Sequence, residues 1–171
     1  YCLSKNIYDI NNQKKQLLTN AQHNLIQNIA DSLINNEFTK KYFQNTTGTS
    51  IEIHTQLEIY WEIKDEKAKS KLDFVFIDHE NKTIQPIDLK TTGKPVSQFK
   101  LAVLNYRYDL QACFYSMGLY WLINKSNDDY WSNLKHYKIL PFKFIVESTK
   151  IIGMPLIFVC SDSMLQKALE G

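Results

Sequence analysis

Cysteine is scarce in this chain: three in 171 residues, Cys2, Cys113 and Cys160, far apart and with no Cys-x-x-Cys pair. That scarcity argues against a zinc site, an iron–sulfur cluster or a disulfide framework, and it fits a reducing, intracellular setting. Long apolar runs are missing too. The longest, Ala112 to Ile123, is too short to span a bilayer, and no basic leader precedes an apolar stretch, so neither a membrane span nor a secretory signal is expected. Nor is there a large excess of either charge: the formal net charge is +2 and the pI about 8.3. With no global field to attract polyanions, any affinity for phosphate must be local. The composition, 44% hydrophobic and 22% charged, is that of a globular chain long enough for a sizeable core, and we expect one domain over residues 1–171. The chain opens on Tyr1 rather than Met and stops at Leu169-Glu170-Gly171 inside an apparent helix, so it is expected to be a piece lacking residues upstream.

Periodicity gives the order of elements. Residues 1–18 are polar and ambiguous. Thr19 with Gln22 makes a capping-box pattern ahead of Leu25, Ile26, Ile29, Leu33 and Ile34 at helical spacing. Residues 45–50 read as loop, 51–63 as a long strand, 71–77 and 83–90 as a hairpin. Ser97 is placed to cap a short helix, residues 106–122 form a longer aromatic-rich one, and 124–129 a polar loop. Strands are expected at 138–147 and 155–160, with Ser161 capping a last helix. The sum is an α/β fold: a mixed central sheet, an antiparallel meander plus later strands, flanked by helices.

Four acid-x-Lys triplets occur, and context separates them. Glu62-Ile63-Lys64 runs off a strand end, Asp65-Glu66-Lys67 lies in a charged run, and Glu80-Asn81-Lys82 sits among turn residues; only Asp88-Leu89-Lys90 is embedded in apolar sequence. Strand alternation points Asp88 and Lys90 to one face and Leu89 to the other. Folding the hairpin symmetrically about Glu80-Asn81 sets Asp73 opposite Asp88, with Cβ atoms roughly 5 Å apart. Two carboxylates at that spacing repel by about 3 kcal/mol at an effective dielectric near 20, so something must compensate. A divalent cation beside a scissile phosphate would do so. An ordinary cross-strand charge cluster, with Lys71 and Lys90 neutralising the acids, is the alternative.

In the helix that follows, Gln111 and Tyr115 are one turn apart and share a face, where they can form a polar patch beside the carboxylates. Spacing alone equally allows Tyr115 in the core and Gln111 as an exposed helix former. The ordered set is rarer than any member: a strand with the triplet, a Thr-Thr-Gly turn, then a helix with Gln and Tyr four apart.

Lys69-Ser70-Lys71-Leu72-Asp73, Ile87-Asp88-Leu89-Lys90-Thr91-Thr92, and Tyr108 with Gln111-Ala112-Cys113-Phe114-Tyr115 together resemble the PD-(D/E)xK nuclease superfamily, and within it the RecB-like and RecE-like exonucleases of phages and bacteria. The likeness runs over residues 51–165. It implies a restriction-endonuclease-like core in which Asp73, Asp88 and the Leu89 backbone carbonyl are metal ligands and Lys90 is the catalytic lysine. Gln111 and Tyr115 would then help place the substrate strand. It also implies a homo-oligomer, a trimer or tetramer threading DNA, a single-strand annealing partner, and a place in the cytoplasm of a bacterial or phage-infected cell.

Hard oxygen ligands without His or Cys partners suit Mg²⁺ or Mn²⁺. Thr91, Thr92, Lys94 and Lys100 follow the triplet and are candidates for contacts to a substrate backbone. The family generally carries a further His or Glu ligand on an upstream helix. His23 reads here as a surface residue, while Glu58, or failing it Glu52, can serve from the first long strand. The expectation is a Mg²⁺-dependent DNA exonuclease of phage-type recombination or repair; the alternative is a catalytically silent nuclease-fold module that binds nucleic acid or a partner protein.

Overall fold

A computed structural model describes residues 7, 8, 14, 15, 18–44 and 48–170. Cys2, most of the ambiguous stretch 1–18 and part of the expected loop, residues 45–47, lie outside the described residues. Two short strands, β1 (Ile7–Tyr8) and β2 (Lys14–Lys15), pair antiparallel. Helix α1 (Asn20–Asn35) begins at Thr19 with the expected capping box: Thr19 Oγ1 accepts the Gln22 amide at 3.2 Å and Gln22 Oε1 accepts the Thr19 amide at 2.9 Å.

The central sheet has six strands, mostly antiparallel, and helices flank it. Strands β3 (Ile51–Ile63), β4 (Glu66–Asp78) and β5 (Thr83–Thr92) form the meander. On the far side of β5 come β6 (Lys138–Ile139) and β7 (Lys143–Ser148), both parallel to it, and β8 (Leu156–Val159) closes the sheet antiparallel to β7. This open α/β arrangement is consistent with a restriction-endonuclease-like core. Helices α2 (Phe99–Asn105), α3 (Tyr108–Lys125), α4 (Asp129–Ser132) and α5 (Asp162–Glu170) complete the fold. No helix among the described residues is long and apolar enough to cross a membrane.

Several boundaries differ from expectation for local reasons. The charged residues 66–69 belong to β4, because Lys64 and Asp65, both at positive φ (48° and 66°), make a two-residue hairpin loop that pairs Ile63 with Glu66. The expected strand over 138–147 is split in two at Pro141, which has no N–H to donate. Ser97 caps nothing: it lies in a 3-10 turn, Val96–Gln98, that leads into α2. The aromatic helix starts at Tyr108, after Arg107 turns the chain in the left-handed region, and runs to Lys125. Half of the polar loop is therefore helix, and residues 126–128 alone link α3 to α4, which Asp128 caps by accepting the Trp131 amide at 3.2 Å.

The two faces of the sheet bury different side chains. Ile59, Trp61, Leu72, Val75, Ile77 and Ile84 pack with Leu119 and Ile123 of α3, and nearer the start of the same helix Ala112 joins Phe99, Phe142, Phe144 and Val146. The opposite face sets Ile87 and Ile145 against Leu33 of α1 and Tyr42. Glu147 ties α1 to β7: fully buried, it accepts hydrogen bonds from the Ser32 hydroxyl and from the amides of Ser148 and Gly153, at 2.8 and 3.3 Å for the amides. Gly118 brings α3 close to the sheet. A Cβ there would stand 2.8 Å from Ser70 Oγ and 2.9 Å from Trp61 Nε1.

Candidate active site

The antiparallel ladder between β4 and β5 runs from Asp78 opposite Thr83 to Phe74 opposite Ile87 and stops there. Its next rung would join Asp73 to Asp88. Instead of backbone pairing, the Asp73 side chain takes over: Oδ2 accepts the Leu89 amide at 2.9 Å. On the other flank of β4 the ladder to β3 skips a rung at the same residue, between the pairs Thr55 with Phe74 and Leu57 with Leu72. There Gln56 adopts φ +53°, and its amide donates to Asp73 Oδ1 at 2.9 Å. Asp73 is thus fixed through both oxygens at a fork where β4 leaves β5.

Asp88 sits on the α3 side of β5 and is 3% exposed. Its Oδ1 accepts from Gln111 Nε2 at 3.1 Å. Its Oδ2 is buried with no hydrogen bond of good geometry, although Lys90 Nζ stands 2.8 Å away as a charge partner. Burial pushes the Asp88 carboxyl above the usual carboxylate range and the Asp73 charge adds to the rise; Lys90 and Gln111 oppose it without cancelling it. The Lys90 ammonium also lies over the ring of Tyr108 at 4.7 Å and toward Phe144 at 6.0 Å. Leu89 points to the opposite face and packs in the cluster beneath α1.

The structure therefore brings Asp73, Asp88, Lys90 and Gln111 together. Tyr115 sits one turn farther along α3, where its ring packs against Phe142 at 6.4 Å. Thr91 and Thr92 end β5 beside Glu147 and Ser148 of β7, and the Thr92 hydroxyl accepts the Lys94 amide at 3.1 Å. Glu58 is engaged elsewhere, with Lys69 at 2.9 Å, Lys71 at 3.6 Å and the Tyr60 hydroxyl; Lys71 is accordingly paired with Glu58. Glu52 bonds His54, His79 and Tyr130 near the Asp78 end of the ladder. His23 is exposed.

Among the described residues, no three His, Cys, Asp or Glu side chains group as a metal site would. Two carboxylates and a carbonyl still fit one class of ion, because Mg²⁺ keeps several waters and uses one or two protein carboxylates together with substrate phosphate. Asp88 Oδ2, whose neighbour is the Lys90 ammonium at 2.8 Å, keeps lone pairs that such a cation would take. Sequence reasoning missed Gln56 and gave Tyr108, one of the residues that carry the resemblance, no role. Gln56 is signalled only by the polar pair Thr55-Gln56, where apolar alternation lapses, and nothing in the sequence sets Tyr108 under the Lys90 ammonium beyond its place one turn before Gln111.

Comparison with known proteins bears on this architecture. No family model matches the chain, and no curated protein matches it. Among solved structures it resembles the crystal structure of a candidate exonuclease from Eubacterium rectale, with a TM-score of 0.58 and 18% identity over 96% of this chain and 53% of that one. A second solved structure aligns over 69% of this chain and 48% of its own, at 12% identity and a TM-score of 0.33, and carries no weight. The chain spans about half the length of the Eubacterium protein, and the likeness between them is one of fold.

Proposed function

We propose that the chain is a divalent-metal-dependent DNA exonuclease of the PD-(D/E)xK type, serving phage-type recombination or repair. The observation that carries the proposal is the convergence of a buried Asp88, the Lys90 ammonium 2.8 Å from its Oδ2, and an Asp73 carboxylate anchored on the Leu89 amide next along β5. The fold shared with a candidate exonuclease supports the same reading. Asp73, Asp88 and the Leu89 carbonyl would hold Mg²⁺ or Mn²⁺. Bound there, such an ion supplies Lewis-acid polarisation of the phosphate and a more acidic water. The protein's own groups do the rest. Gln56 and the Leu89 amide hold Asp73 still, and Gln111 does the same for Asp88. Lys90 sets a positive charge against the phosphate, either orienting the attacking water or stabilising charge as it develops. Thr91 and Thr92, at the end of β5, would contact the backbone of the substrate strand.

Among the described residues no third His, Cys, Asp or Glu joins the pair, which favours a second reading, a silent nuclease-fold module that binds nucleic acid or a protein. Activity separates the two. With Mg²⁺ the protein is expected to release nucleotides from linear duplex DNA, and to stop when EDTA is added. Lys90→Ala is expected to lower the rate roughly 100- to 1000-fold, the usual cost of removing one preorganised electrostatic contact. Wild-type rates in Asp88→Asn would contradict the proposal.

A further inference from the structure

Beside Lys90 lies a cavity of about 510 Å³ between the end of β5, α2 and the start of α3. Two lysines, Lys94 and Lys150, line it together with Thr91, Thr92, Tyr106 and Tyr108, and no acidic residue among the described residues does. Its aromatic wall is continuous with the catalytic lysine. The Lys90 ammonium lies 4.7 Å from the centre of the Tyr108 ring, and the Tyr106 ring follows 5.7 Å beyond, inclined by 35°. Behind them Phe99 stacks on Tyr108 at 5.7 Å and 23°, so the inner ring is braced from the core. Tyr106, by contrast, is 70% exposed, a large flat ring at the cavity mouth. Arg107, the next cation along the chain, is already engaged by Asp109 at 3.2 Å, which leaves Lys94 and Lys150 as the positive charges of the cavity.

We infer that this cavity receives the unpaired end of a DNA strand, one base stacking on Tyr106 while Lys94 and Lys150 hold the flanking phosphates. The inference rests on the nuclease reading for the direction in which the strand runs, toward Lys90. Its physical basis is separate. An exposed aromatic ring beside cations is how single strands are held without regard to sequence, because every base has a face to stack and every linkage a charge. Inside a duplex each base pair is stacked on both faces, so a duplex without open ends cannot use Tyr106 in this way. The volume is also of the order of a small-ligand pocket, which suits a nucleotide and excludes a double helix.

The test is binding in EDTA, where no cleavage occurs, read by fluorescence anisotropy with a labelled oligothymidylate and, by competition, with a relaxed covalently closed circular duplex. Tyr106→Ala is expected to weaken the single strand roughly 5- to 150-fold, the range that loss of one base–aromatic stack corresponds to, and to leave the duplex unchanged. Tyr106→Phe keeps the ring and should bind as the wild type does. Replacing Lys94 and Lys150 together with Ala should reduce the salt dependence of single-strand binding by about 1.4 in log–log slope, two contacts at ~0.7 each. Equal binding by Tyr106→Ala and wild type, or the same loss for duplex and single strand, would overturn the inference. A protein that binds through Tyr106 yet never cleaves with Mg²⁺ would refute the nuclease reading alone. One that cleaves while Tyr106→Ala binds normally would refute this inference alone.

Discussion

The Asp73 carboxylate accepts the Leu89 amide at 2.9 Å, one residue past the last rung between β4 and β5. A side chain thus replaces the backbone acceptor that a continuing strand would have offered. The exchange does two things: it satisfies an N–H that the parting of the strands would have stranded, and it aims the carboxylate at the neighbourhood of Asp88. Separation of the strands and assembly of the acidic pair are one structural event.

Gln56 is the other half of that arrangement. A non-glycine residue in the left-handed region costs on the order of 1 kcal/mol, and here the side chain that bears the cost orients Asp73. Gln56→Ala keeps the strain and loses the bond, so it should lower Mn²⁺ affinity or nuclease rate roughly 10- to 100-fold, as loss of a ligand's supporting partner does. Gln56→Gly should be the more stable of the two variants by about 1 kcal/mol in urea denaturation, because glycine accepts that backbone freely.

Gly118 sets how closely α3, and with it Gln111, approaches the sheet. The atoms a methyl group would meet belong to Trp61 and Ser70, which are buried and bonded to each other at 3.0 Å. Gly118→Ala should therefore destabilise by about 1–2 kcal/mol, overpacking outweighing the ~1 kcal/mol gain in helix propensity. Thermal unfolding would check this, and a rise in melting temperature would show that the helix has room to move.

Glu52 makes an acid-dependent contribution near the Asp78 end of the ladder. Burial alone would raise its carboxyl, but hydrogen bonds from Tyr130 and His79, with the charges of His54 and His79, outweigh burial and hold it below its ordinary value of 4.5. A depressed folded value means stabilisation that is complete above the unfolded value and lost as pH falls through the folded one. Glu52→Gln should accordingly be less stable than wild type at neutral pH, and the gap should close as the pH is taken below 4.5. A gap independent of pH would show that shape, not charge, matters there.

Cys113 and Cys160 are both buried free thiols. Burial pushes the Cys113 thiol up, with Asp109 adding to it, and pushes Cys160 up to about 12. Since the thiolate is the reactive form, neither should be alkylated by iodoacetamide in the native protein, and both should react in guanidinium. Peptide mass spectrometry distinguishes the two.

How much of this was legible in the sequence depends on how local its cause is. The hairpin register follows from symmetry about Glu80-Asn81, and alternation alone places Asp88 and Lys90 on one face with Leu89 on the other. The α1 cap was readable because Thr19 and Gln22 are three residues apart. The fork was not readable, since it requires Gln56 to leave the strand region, and nothing local in a glutamine forces that. Nor was the extension of β4 back to Glu66, because charges that pair across an exposed ladder look the same as charges in a loop. Ile26 and Ile34 carry helical periodicity yet remain about half exposed, at 52% and 46%: α1 meets the sheet along a narrower stripe than its sequence offers.

The central claim, that Asp73 and Asp88 form a cation site, is tested most directly by calorimetric titration of Mn²⁺ into the wild type and into Asp88→Asn, with thermal unfolding run on both. We predict saturable binding to the wild type that Asp88→Asn abolishes while its fold is retained. Indistinguishable titrations of the two proteins would contradict the claim and leave the acidic pair a structural charge cluster.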